Sequence, residues 1–158
     1  ENVFEASEFR FGLLMSMYGI GAVVIAPWLA AFGSRIQRSH LLVGSLVGYG
    51  CGEILLASTS FYWAGIAGIF IVGCAHLVMA TTTNTTLQLR VPEPVRGRVM
   101  AMYLMVFTIG APLGSIIQGP LADKFGPQAV VLVMGFCFLV AALILRISGR
   151  SETYNFKD

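Results

Sequence analysis

The sequence predicts an all-α membrane protein, a polytopic bundle of five transmembrane helices. Three observations carry that reading. Apolar residues make up 56% of the 158 residues, charged residues only 11%, and the mean hydropathy is +0.79, whereas a soluble domain carries about 25% charged residues. The apolar residues fall into five stretches close to the roughly 20 residues that a membrane helix needs. Many of the 18 glycines and 6 prolines sit inside those stretches, as membrane helices tolerate. Length alone would suggest one soluble domain. Composition overrules it.

Taken in order, residues 1–10 are short and acidic and read as a loop remnant. The first span is 11–32, uncharged between Arg10 and Arg35 and containing Gly12, Gly19, Gly21 and Pro27; small residues of this kind let membrane helices pack closely. A basic turn with Arg35, Arg38 and His40 follows. The second span, 41–58, is interrupted only by Glu53, and its Gly44, Gly48 and Gly52 share one helix face as a packing seam. After the short turn Thr59-Ser60, the residues Phe61, Tyr62 and Trp63 stand where an interfacial aromatic belt belongs.

The third span is 61–84 and can continue to Leu89, longer than a bilayer requires, which implies tilt or protrusion. Its second half is polar: His76, Thr81, Thr82, Thr83, Asn84, Thr85, Thr86 and Gln88. The run Arg90–Arg98 contains Pro92 and Pro94. Each removes a backbone donor and pushes the preceding residue away from α geometry, so a turn is expected there. The fourth span, 99–121, has no formal charge and is long enough to cover roughly 34 Å as a helix. Asp123, Lys124, Gly126 and Pro127 make the next corner, the fifth span is 129–145, and 146–158 is a polar tail.

Five spans place the two ends on opposite sides. Arg35, Arg38, Arg90, Arg96, Arg98, Arg146, Arg150 and Lys157 fall on one side, eight of the ten basic residues, leaving Arg10 and Lys124 for the other. Basic residues stay inside, so the N-terminus is expected outside and the C-terminus in the cytoplasm. The formal charge of +2 is too small to imply a nucleic-acid partner. Cys51, Cys74 and Cys137 are odd in number and unclustered, which indicates neither a disulfide framework nor a metal site; each reads as a buried small hydrophobe. Glu1, Glu5 and Glu8 are the wrong flank for a signal peptide, and no initiator Met opens the chain, as expected of a fragment or a processed chain.

The run from Asn84 to Gly126 resembles the late helices of the major facilitator superfamily. Within it, the similarity is to the bacterial branch of transmembrane secretion effectors that contains the enterobactin exporter. Asn84, Gln88 and Pro92 lead into Arg96-Gly97-Arg98-Val99, and Pro112 and Gly114 precede the corner at Asp123 and Gly126. The resemblance implies helices eight to twelve of a twelve-helix transporter of the bacterial inner membrane. It covers nearly all of this chain and under half of a family member, so the missing N-terminal helices are expected partners. One departure stands out: the turn Ala30–Arg35 lacks the acid that the superfamily commonly places there. Pro27–Gly33 also echoes Pro120–Gly126, and by the orientation above the two corners face opposite sides, the pattern of inverted three-helix repeats.

No enzymatic constellation is visible: no metal-ligand spacing, no phosphate-binding glycine loop, and neither His40 nor His76 with a convincing nucleophile or carboxylate partner. No cofactor is expected. Polar groups inside the membrane are costly, which makes them functional candidates. His76, Ala80, Asn84 and Gln88 recur every four residues, hence on one helix face. His76 is either a wall of a transport path, an imidazole whose charge ordinarily changes near neutral pH, or interhelical glue. Asn84 and Gln88, near the end of the span, read as glue or gating. Glu53 is either a proton-coupling carboxylate or a solvated group near the headgroups, with the second preferred. Gln118 faces a cavity or merely packs, and Tyr103 reads as an interface anchor. Arg35, Arg38, Arg90, Arg96 and Arg98 read as cytoplasmic gate or topology anchors, with lipid phosphate contact expected at Arg96 and Arg98.

The function expected is therefore part of a secondary transporter, a proton-coupled exporter of a small amphipathic molecule by alternating access, with the lipid bilayer, protons and the solute as partners. The alternative is a non-transporting membrane scaffold whose polar stripe glues a partner. A membrane enzyme is a distant third.

Overall fold

The computed structural model describes residues 8–59 and 61–148. Five long helices follow one another: α1 (Glu8–Phe32), α2 (Arg38–Ser58), α3 (Tyr62–Arg90), α4 (Glu93–Phe125) and α5 (Pro127–Ser148). All five are long and apolar enough to cross a membrane. A single 3-10 turn, Gly33–Arg35, joins α1 to α2. Most of the acidic opening, Ser60 of the short turn, and Arg150 and Lys157 of the tail lie outside the described residues. Glu8, Phe9 and Arg10, read from the sequence as loop, are the first residues of α1, and Arg146 to Ser148 still belong to α5.

The basic turn is much shorter than its two prolines suggest. Val91 is extended (φ −81°, ψ 126°), as a residue before proline prefers, and this ends α3. The new helix starts at Glu93 with Pro94 in its first turn, where a missing N–H costs nothing because that donor has no partner within the helix. Arg96, Gly97 and Arg98 are therefore helical. Pro112 and Pro120 do not break α4 either, which runs on through Asp123 and Lys124 to Phe125. The corner is Gly126, at φ +85°, a backbone region that disfavours any side chain. Its N–H closes the helix on the Ala122 carbonyl at 2.9 Å. The two echoed segments end their helices alike, at Phe32 before Gly33 and at Phe125 before Gly126.

Packing follows the small residues. α2 lies between α3 and α5, α1 packs on α3, and α4 touches α5 and, sparsely, α3. Within the expected glycine seam of α2, Gly44 meets nothing within 4 Å, whereas Gly48 faces Ala75 and Gly52 faces the backbone of Gly68 and Val72. A methyl at Gly52 would stand 2.8 Å from the Gly68 carbonyl oxygen, and one at Gly68 would stand 2.7 Å from that of Gly52. The seam thus engages only over its second half. Gly50 makes a second seam on α2: it approaches Gly135 of α5, where a methyl would stand 2.6 Å from the carbonyl oxygen. Two residues along a helix turn about 200°, so Gly50 points away from Gly48 and Gly52, and α2 can be clasped from both sides. Between α1 and α3, a side chain at Gly73 would collide with the Tyr18 backbone, and one at Gly21 with the Phe70 carbonyl.

The cysteines correct their expected role. Cys51 and Cys137 are exposed on the surface of this bundle, and only Cys74 is partly covered. Its thiol donates to the Gly21 carbonyl at 3.1 Å across the α1–α3 contact.

Candidate functional site

Mid-length aromatic rings from α1, α2 and α4 gather around the imidazole of α3, and one from α5 stacks behind them. His76 stands halfway along α3. Its ring lies 5.6 Å from that of Tyr18 (α1), 5.7 Å from that of Phe107 (α4) and 6.1 Å from that of Tyr49 (α2), between centroids. Phe138 of α5 completes the layer by stacking on Tyr49 at 4.5 Å. The Tyr49 hydroxyl is 3.3 Å from His76 Nδ1 and donates to it when the imidazole proton is on Nε2. The Tyr18 side chain also reaches Tyr49.

The helix contacts explain this convergence. Tyr49 lies between Gly48, which faces α3, and Gly50, which faces α5. At about 100° per residue its side chain projects into the gap between those helices, where His76 and Phe138 meet it. The α1–α3 collision point at Gly73 is three residues before His76 and involves Tyr18 itself, so close backbone approach carries the Tyr18 ring to the imidazole. From α4, Tyr103 packs near Phe107 at 5.9 Å and its hydroxyl donates to the Ala80 carbonyl of α3 at 3.5 Å. Tyr103 therefore reaches into the bundle; an interface anchor would point away from it.

Glu53 lies one turn beyond Tyr49 on the same face of α2. One of its carboxylate oxygens, Oε2, is buried without a hydrogen-bond partner among the described residues. The preferred reading of Glu53 as a solvated headgroup-level acid does not fit that oxygen.

The remaining candidates are dispersed. Asn84 is about 12 Å along the axis from His76, two turns on, and Gln88 hydrogen-bonds to Asn84 within the same helix. The four-residue row is one face but two separate groups. Gln118 is exposed, about 16 Å along α4 from Phe107. Of the five arginines, Arg35, Arg38 and Arg90 line one cleft. Arg96 instead donates its Nε to the Val91 carbonyl at 3.3 Å, tying off the α3–α4 turn, and Arg98 is exposed in the first turns of α4. Among the described residues no three His, Cys, Asp or Glu side chains could share a metal ion.

Sequence reasoning missed Tyr18, Tyr49, Phe107 and Phe138. A signal for the tyrosines was available: a tyrosine near the middle of a span is far from the interfaces where its hydroxyl ordinarily finds water, so it needs a partner inside the bundle.

A family model, Major Facilitator Superfamily, matches residues 2–157. Among curated proteins, the chain is 30% identical to the class E tetracycline resistance protein of Escherichia coli, with 92% of this chain and 35% of the relative covered. It is 28% identical to the multidrug resistance protein MdtG of Enterobacter lignolyticus, covering 90% and 34%, and 23% identical to the enterobactin exporter EntS of Salmonella choleraesuis, covering 89% and 34%. The chain spans about a third of the length of these relatives. No solved structure matches it.

Proposed function

Because the chain belongs to the major facilitator superfamily, we propose that it forms part of a secondary transporter, a proton-coupled exporter of small amphipathic molecules. Export is supported by the relatives' names, which include two resistance proteins and an exporter. The observation that carries the reading is the mid-bundle layer. An imidazole and rings from the other four helices converge at one depth, where transporters of this architecture bind and release their solute in alternation. In the proposal, aromatic faces receive the apolar part of the solute. His76 binds and releases a proton, Tyr49 holds its ring, and Glu53 one turn away is a second carrier. The N-terminus lies outside, the C-terminus lies in the cytoplasm, and helices beyond this chain supply the opposite wall.

A second reading has its own observation. The Tyr49–His76 hydrogen bond is also what interhelical glue looks like. His76→Gln separates the two in the full-length transporter, because it keeps hydrogen-bonding capacity and abolishes titration. As a proton carrier, the variant should express and melt like the wild type while efflux falls and its pH dependence flattens between about pH 5 and 8, where an unperturbed imidazole changes charge. Unchanged efflux with an unchanged pH profile would assign His76 to structure.

A further inference from the structure

Glu53 is the only Asp, Glu, Lys or Arg inside the five spans: 11–32, 61–89, 99–121 and 129–145 hold none, and 41–58 holds only this one. Its place follows from the helices that clasp α2. Gly52 approaches the backbone of Gly68 and Val72 on α3, and Ile54 meets Gly135 of α5. At about 100° per residue, Glu53 therefore projects between those two helices, into the same gap as Tyr49 and about 6 Å along the axis from it. Its Oε2 is buried with no hydrogen-bond partner among the described residues, and the spans that wall the gap carry no lysine or arginine. A buried carboxylate is costly unless it is paired. The ring layer beside it is open on one side: Phe107, whose ring meets that of His76, is 44% exposed, and α4 touches α3 only sparsely.

Taking the ring layer as the solute site, the reading on which this inference rests, we infer that its solute is an organic cation with an aromatic body. The positive group pairs with the Glu53 carboxylate and satisfies Oε2, while the body lies against Tyr18, Tyr49 and Phe107, about one helical turn away. Two effects favour a cation. A hydrogen bond to an ionised partner is about twice as strong as a neutral one, and aromatic faces attract cations through their quadrupoles. An anion meets the Glu53 charge and the negative ring faces, and an uncharged amphipath gives the carboxylate no counter-charge. Glu53 carries a proton when the site is empty and the solute's charge when it is full.

The test uses the full-length transporter, purified in neutral detergent at about pH 8, where an unperturbed imidazole is uncharged. Three probes share one naphthalene body: 1-naphthylmethylammonium, 1-naphthylmethanol and 1-naphthoate. Binding is read by equilibrium dialysis against protein-free micelles. The ammonium should bind about tenfold more tightly than the alcohol, as a hydrogen bond to a charged group allows, and the carboxylate should bind most weakly. Glu53→Gln should bring the ammonium down to the alcohol's affinity and leave the alcohol near its wild-type value, which also shows that the variant is folded. Glu53→Asp keeps the charge but withdraws it by one methylene, so it should weaken the ammonium by a smaller factor and again spare the alcohol. Phe107→Leu should weaken ammonium and alcohol together, because it acts on the layer. Equal affinity for the three probes, still sensitive to Phe107→Leu, would overturn the cation inference and leave the layer as the solute site. A cation preference unchanged in both Glu53 variants overturns it as well. No binding of any probe, or binding insensitive to Phe107→Leu, would overturn the solute site and the inference together.

Discussion

α3 and α4 are both long, apolar and rich in small residues, yet the bundle treats them oppositely. α3 has seven buried residues, four of them Gly65, Gly68, Gly73 and Ala75, and it takes close contacts from α1 and α2. α4 has no buried residue, and among the described residues nothing stands within 4 Å of where a side chain would begin at Gly110 or Gly119. Its Met102, Met105, Val106, Ile116 and Ile117 are all more than 60% exposed. Apolarity therefore decides that a helix crosses the membrane but not that it packs. Lipid solvates an apolar surface as well as a neighbouring helix does, so close packing depends on complementary small residues, and α4's glycines face none among the described residues.

The sharpest way to break the comparison is orientation, an all-or-none readout. If α3 and α4 cross in opposite senses with the basic turn inside, a single cysteine at Gln128, after α4, should react with an impermeant thiol reagent from outside. A cysteine at Val95, in the first turn of α4, should not. Native cysteines would first be replaced. The reverse pattern removes the proposed orientation and the inverted-repeat reading with it.

Packing comes next in size. Gly73→Ala forces a methyl into the Tyr18 backbone and should cost about 1–3 kcal/mol, as overpacked cores do. Gly110→Ala in α4 should stay within about 0.5 kcal/mol, like a surface change. Denaturant titration of the helical signal in micelles measures both, and equal costs at the two positions would show that α4 is packed after all.

The smallest effect concerns how each helix is tied to its neighbours by hydrogen bonds. Tyr49→Phe keeps the stack on Phe138 and removes the bond to His76, with an expected loss of about 0.6 kcal/mol, typical inside membranes. Tyr103→Phe removes the longer 3.5 Å link from α4 to α3 and should cost less. A larger loss at Tyr103 than at Tyr49 would mean that α4 depends on α3 more than its exposure indicates.

Five helices, their order and their short turns could be read from the chain because each depends on local properties: a charge-free run, a proline pair, a glycine at a corner. The family resemblance was legible for a similar reason, since Asn84–Gly126 carries its pattern in contiguous residues. The turn at Arg90–Arg98 was overdrawn, because whether Pro94 breaks a helix or starts one depends on where the first turn falls. The site was half legible. His76 and Glu53 stood out as polar groups at apolar depth, and Arg35, Arg38 and Arg90 as basic turn residues. What only the tertiary structure decided is which of them meet. Tyr18, Tyr49 and Phe107 come from three helices to meet His76, and Phe138 of a fourth stacks on Tyr49; that convergence depends on how far each helix is rotated about its own axis. That rotation is set by backbone contacts such as Gly50 with Gly135 and Gly73 with Tyr18, pairings between distant positions that hydropathy and spacing along one chain do not encode.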